Sequence, residues 1–207
     1  MSKTLNARLA KCALAAGAAV AIASAADAGI VYSGALNTVI PANIDGLYIN
    51  IETGATGSSG SSVAGWDVNP YGSNAAYVSL YRPSTSGFMR NPNAGTAAGR
   101  TNLDEGMEIG SAAFFYASSQ FQIGTGAGQV LANSTGIIGF KFAAADGLTH
   151  YGWMRIAIGA DANTRTLVDY AFDDVAGASI LAGATGIPAP GALALLGLAG
   201  LTSRRRR

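Results

Sequence analysis

His150 is the only histidine in this 207-residue chain, and the single cysteine, Cys12, sits in an apolar N-terminal stretch. A Ser-His-Asp or Cys-His nucleophilic mechanism would therefore have to run through His150. No Gly-x-Ser-x-Gly elbow is present to hold a serine at a strand-to-helix turn. One histidine without a cysteine beside it also makes a poor zinc site. Following the Asp146-Gly147 turn, His150 reads as a partly exposed side chain at the start of a strand.

Carboxylates offer a second chemistry. Asp104, Glu105 and Glu108 cluster, as do Asp169, Asp173 and Asp174. Glycan hydrolysis needs two carboxyl groups about 5–10 Å apart across a sugar. Residues four apart on a strand share a face, so Asp169 and Asp173 form a candidate pair for a glycan-active enzyme. The simpler reading is a solvated acidic face.

No cofactor is required by these residues. Calcium is the one candidate, because hard cations favour oxygens from Asp, Asn and backbone carbonyls. Asp161-Ala162-Asn163 and Asp67-Val68-Asn69 supply such oxygens, but neither extends into a twelve-residue loop with a closing Glu.

Aromatic side chains offer a third chemistry, since flat rings stack on the apolar faces of sugars. Trp66, Tyr71, Tyr77, Tyr81 and Trp153 are candidates, and core packing is the bland alternative. If Met154 and Ile156 point inward, then Tyr151, Trp153 and Arg155 form an outward row. That row is either a ligand-binding platform or a second buried sheet face.

The elements that would position these groups are strands. Leu47 to Glu52 alternates, with Leu47, Ile49 and Ile51 inward. Trp66 to Asn69 is extended and should stop at a Pro70-Tyr71-Gly72 turn. Ala76–Tyr81 and Ile137–Phe142 are strand-like. Leu103–Ile109 is ambiguous, and Phe114–Phe121 fits a strand or a short helix. His150–Ile158 and Leu167–Phe172 form the best hairpin, joined through Gly159–Arg165. Met154, Ile156 and Ile158 face the core from one arm, and Val168, Tyr170 and Phe172 from the other. Long helical periodicity is absent. The pattern predicts an all-β fold, an antiparallel β-sandwich of jelly-roll type, with an up-and-down barrel as the alternative.

Both ends of the chain differ from this body. Lys3, Arg8 and Lys11 precede the apolar stretch Cys12–Ala23, and Ala26-Asp27-Ala28 is a small-x-small site. That is the layout of a signal peptide read by the secretion machinery, cleaved after Ala28 or Ala26. At the other end, Ile187 to Ser203 holds seventeen residues without a charge, ending in Arg204, Arg205, Arg206 and Arg207. This lies near the lower limit of about 17 residues for a membrane-spanning helix. Arginines there resist translocation, and Pro188 and Pro190 mark the boundary before Gly191.

Pro188-Ala189-Pro190-Gly191, the apolar run and the four arginines resemble the PEP-CTERM class of sorting signals, with Ala189 where the typical motif has glutamate. The resemblance implies handling by an exosortase-like membrane protease, in bacteria that make extracellular polysaccharide. It also implies removal of the tail, leaving a product at the cell surface or in the extracellular matrix. Trp66–Tyr71, Tyr151–Ile156, Asp169–Asp173 and Ile180–Gly183 resemble segments of exported bacterial proteins carrying such tails, a group that brings no activity with it.

The expected organisation is thus a signal peptide helix over 1–28, a β-sandwich over 29–186 and a transmembrane sorting helix over 187–207. The middle segment has six basic and eleven acidic side chains, a net charge of −5. That balance argues against nucleic acid, which rewards basic clusters. With Cys12 in the leader, no disulfide framework is available to the exported domain. The function expected from these residues is that of a non-enzymatic surface or matrix protein, with a carbohydrate-binding module and a glycan-active enzyme as alternatives.

Overall fold

Short runs of β-branched and aromatic residues, separated by Gly, Asn, Asp and Ser, dictate many strands and tight turns. A computed structural model describes residues 29–97 and 99–186; the expected signal peptide and sorting tail lie outside the described residues. The strands run in the order β1 (Ile30–Tyr32), β2 (Thr38–Val39), β3 (Tyr48–Ile49), β4 (Thr56–Gly57), β5 (Asn69–Tyr71), β6 (Tyr77–Tyr81), β7 (Gly87–Met89) and β8 (Asn102–Leu103). They continue through β9 (Glu108–Ile109), β10 (Phe115–Tyr116), β11 (Ser119–Gln122), β12 (Ser134–Ala143), β13 (Thr149–Ile158), β14 (Arg165–Asp173) and β15 (Ile180–Leu181). Gly60–Ser62 and Pro92–Ala94 form short 3-10 turns. No helix among the described residues is long and apolar enough to cross a membrane.

The three longest strands organise the rest. β12 pairs with β13 along its whole length, from Ser134 opposite Ile158 to Ala143 opposite Thr149. The connecting turn is closed by the Asp146 carboxylate, which accepts from the Leu148 amide at 2.8 Å. β13 then pairs with β14, and the main sheet runs β1-β14-β13-β12-β7-β10, with β2 beside β14 and β8 beside β12. A three-stranded sheet, β11-β6-β5, and the ribbons β3-β4 and β9-β15 complete the fold, and every strand pair is antiparallel.

The main sheet is buried on both faces. On one, Phe140, Phe142, Met154, Ile156 and Phe172 pack with Val78, Leu80 and Phe121 of the three-stranded sheet and with Ile49 and Ile51. On the other, Tyr151, Trp153 and Ala171 pack with Ile109 of β9 and with Ile180 and Ala182 at β15. This is why β13 is nearly continuously buried although its sequence alternates. Leu47, Ile49 and Ile51 face inward as expected.

Three local expectations change. Pro70 and Tyr71 continue β5 instead of forming the turn; β5 is an edge strand, where the missing proline N–H costs no ladder bond. Phe114–Phe121 yields two strands, β10 and β11, and the ambiguous Leu103–Ile109 contains the ends of β8 and β9. Finally, Leu167 and not Val168 joins Tyr170 and Phe172 in the core. The β13–β14 register shifts after Arg155: Arg155 lies opposite Asp169, but Ile156 lies opposite Leu167. Val168 is the extra residue of a bulge, and its carbonyl accepts from the Leu36 and Asn37 amides.

Candidate functional site

For Tyr151, Trp153 and Arg155, the structure decides between a ligand-binding platform and a second buried sheet face in favour of the buried face. The three do share the face of β13 opposite Met154 and Ile156, but the β9-β15 ribbon and its flanking loops cover that face. Trp153 is 0% exposed and Tyr151 6%. The Trp153 indole N–H donates to the Ala184 carbonyl at 2.9 Å, so even its polar edge is internally satisfied. Tyr151 stacks on Phe115. These rings are a second core and present no surface to a sugar.

Arg155 is committed to an ion pair. Its Nε donates to Asp169 Oδ1 at 2.7 Å, and its Nη2 donates to Oδ2. Tyr32 of β1 also donates to Asp169 Oδ2, at 2.7 Å. Asp169 is buried, whereas Asp173 is half-buried and caps the Val175 amide. Asp169 and Asp173 lie four residues apart on β14, their Cα atoms roughly 13 Å from each other, and Asp169 is already engaged by Arg155 and Tyr32. Asp104, Glu105 and Glu108 remain on the exposed surface.

His150 is buried, not partly exposed. One ring nitrogen, Nδ1, lies 2.8 Å from the Asp173 carbonyl, and Nε2 lies 3.3 Å from Asp146 Oδ2. Burial acts to lower its pKa, but these two oxygens outweigh it and leave the ring above its ordinary value. The histidine ties the β12–β13 turn to the end of β14.

The calcium candidate residues Asp161 and Asn163 form a turn in the β13–β14 connection. Asp161 Oδ1 accepts from the Asn163 amide at 2.9 Å, and Asn163 is exposed. No group of three or more metal-ligating His, Cys, Asp or Glu occurs among the described residues. Asp67, the other cation candidate, lies inside the fold. Its buried carboxylate accepts from the Ile51 amide at 2.9 Å, and burial pushes its pKa up to about 6.

What the fold does expose is an aromatic face on the outside of the three-stranded sheet. In β6, Val78 and Leu80 point into the core, leaving Tyr77, Ser79 and Tyr81 outward. Register places Tyr71 of β5 beside Ser79, with Gln120 of β11 on its other side. Tyr48, the outward residue between Leu47 and Ile49, meets Trp66 edge-on at 4.9 Å between ring centroids. Trp66 in turn lies 5.8 Å from Tyr81, and Tyr81 lies 6.3 Å from Tyr71. Three open depressions of about 350, 290 and 250 Å³ adjoin along these rings, and Tyr71 lines all three.

The backbone beneath this face is pinned. Arg165 is buried and donates to the carbonyls of Pro41 and Gly72, at 2.5 and 2.6 Å, so the start of β14 clamps the chain just after Tyr71. The loop before β3 packs directly on Pro70 and Tyr71 at Gly46. That glycine has φ +63°, and an added Cβ would lie 2.3 Å from the Pro70 carbonyl. Trp66, Tyr71, Tyr77 and Tyr81 are candidates by residue type alone, whereas Tyr48 is signalled only by the alternation that places it outward between Leu47 and Ile49.

No family model matches the chain, and neither a curated protein nor a solved structure is similar to it.

Proposed function

We propose that this chain is an exported, C-terminally sorted, non-enzymatic protein of the cell surface or extracellular matrix. The observation that carries the reading is the tail: Pro188 and Pro190, an uncharged apolar run and Arg204–Arg207. With the basic, apolar and small-residue leader ending at Ala28, it makes a pair of membrane-directed signals around one β domain. The secretion machinery and an exosortase-like protease are the partners this assigns. The product passes through the inner membrane and is released on its outer side. A jelly-roll-type sandwich is the architecture we assign to the exported body.

The body supports a binding or structural role over catalysis. Asp169 and His150 are occupied by Arg155, Tyr32 and backbone or turn partners. Gly29–Thr185 forms one unit by its own contacts, with a core on each face of its main sheet.

Mass spectrometry of the termini in membrane, surface and medium fractions tests the reading. A start near Gly29 and an end near Pro188, outside the inner membrane, is the expected result. An intact Arg204–Arg207 end held in the membrane fraction would overturn it.

A further inference from the structure

The outer face of β5-β6-β11 combines features that match one ligand chemistry. Its rings, Tyr48, Trp66, Tyr71, Tyr77 and Tyr81, are half-buried or exposed and lie in mutual contact from Tyr48 to Tyr71. Between and beside them stand amides and a hydroxyl: Asn69, Ser79 and Gln120 line the depressions. Among the described residues, no charged side chain lines any of the three depressions.

One polar group there is left unsatisfied. Asn69, opposite Tyr81 in the register, is more than nine-tenths buried, and its Oδ1 has no hydrogen-bond partner among the described residues. Buried polar atoms are nearly always paired, so this orphan beside a surface depression marks a place that a ligand or water completes. Asn69 lines the depression it shares with Tyr48, Tyr71 and Tyr81.

We infer that this face binds a neutral polysaccharide. A pyranose ring offers an apolar C–H face to an aromatic plane and hydroxyls at its rim, which pair with amides and hydroxyl side chains. Tyr77 to Tyr81 spans roughly 13 Å along β6, enough for consecutive sugar units and more than one ring needs. An anionic chain is disfavoured on two counts. The face carries no cation to pair with it, and the exported domain has a net charge of −5. An apolar protein partner would leave the row of amides and hydroxyls unpaired. The ring set is open-ended and not a closed pocket, which suits binding along a polymer. This inference deepens the surface reading above, yet it can fail separately: sugar retention reads binding, whereas the terminal masses read location.

The test is affinity electrophoresis of the full chain in a detergent without a sugar headgroup. The native gels contain hydroxyethylcellulose, laminarin, galactomannan, xyloglucan or soluble starch, with alginate as the anionic comparison. We expect retardation by at least one neutral polymer and none by alginate. Tyr81→Ala, an exposed position, should weaken that retention by about tenfold or more. Tyr71→Ala should do the same. Phe114→Ala, which removes an exposed ring off this face, should leave retention unchanged. On adding the retained polymer, Trp66 emission should shift and the fully buried Trp153 should stay silent. No retardation by any neutral polymer, retention only by alginate, or retention indifferent to Tyr81→Ala would each overturn the proposal.

Discussion

Arg155 and Asp169 stand directly opposite each other on β13 and β14, one residue before the register of that pair slips. The guanidinium grips both carboxylate oxygens, and Tyr32 adds a third donor from β1. The pair therefore joins three neighbouring strands at the bulge, where a slip would otherwise exchange the two faces.

Removing one partner of this pair should expose its structural role. Asp169→Asn leaves Arg155 without its counter-charge and weakens the Tyr32 contact. A loss of roughly 1–3 kcal/mol of unfolding free energy is expected, below the value for a fully buried pair because the Arg155 side chain is 32% exposed. Urea denaturation reads this directly. A variant as stable as the parent would show that the bulge is held by backbone pairing alone.

Trp153 and Tyr81 should behave in opposite ways. Trp153→Ala removes a fully buried ring and strands the Ala184 carbonyl, so a cost of about 3–5 kcal/mol is expected. Tyr81→Ala alters a side chain that is 48% exposed and should change stability by well under that amount. Paired thermal melts distinguish the two. Equal losses would mean that the Tyr81 ring also belongs to the core.

Asp67 makes stability depend on pH in an unusual direction for a carboxylate. Its pKa is raised to about 6 in the folded chain, above the 3.8 of an exposed group. Between those values the folded state holds the proton that the unfolded state has lost. Stability contributed by this group is therefore full below pH 3.8 and falls as pH rises towards 6. Asp67→Asn keeps an acceptor for the Ile51 amide without the charge. It should stabilise the protein at pH 7 by roughly 1–3 kcal/mol and have little effect at pH 4. Denaturation at the two pH values checks this; an equal effect at both would show that the carboxyl does not titrate in that window.

Much of the strand pattern was legible because it rests on local physics. Alternation at Leu47–Ile51 and along β13 placed the inward residues correctly, since side chains on a strand must point to opposite faces. The Asp146-Gly147 turn declared itself through an Asx acceptor and a glycine at φ +76°. The Asp161–Asn163 motif was harder to read, because an Asx turn and a cation loop use the same side chains. Val168 was misplaced because a bulge is set by its partner strand and by the loop that bonds its carbonyl, neither of which is local.

The sequence by itself determined the strand-rich class, the acidic and cysteine-free body, and the two charged and apolar ends that propose export. These depend on composition and on period, which any window of the chain carries. Only the tertiary structure decided which aromatic row meets solvent. Tyr151-Gly152-Trp153 and Tyr77-Val78-Ser79-Leu80-Tyr81 both alternate, and each could face water or a second layer. The answer came from elements distant in the chain. The β9-β15 ribbon covers the first row, whereas nothing among the described residues covers the second. Burial is a property of what packs above a face, and no local pattern encodes it.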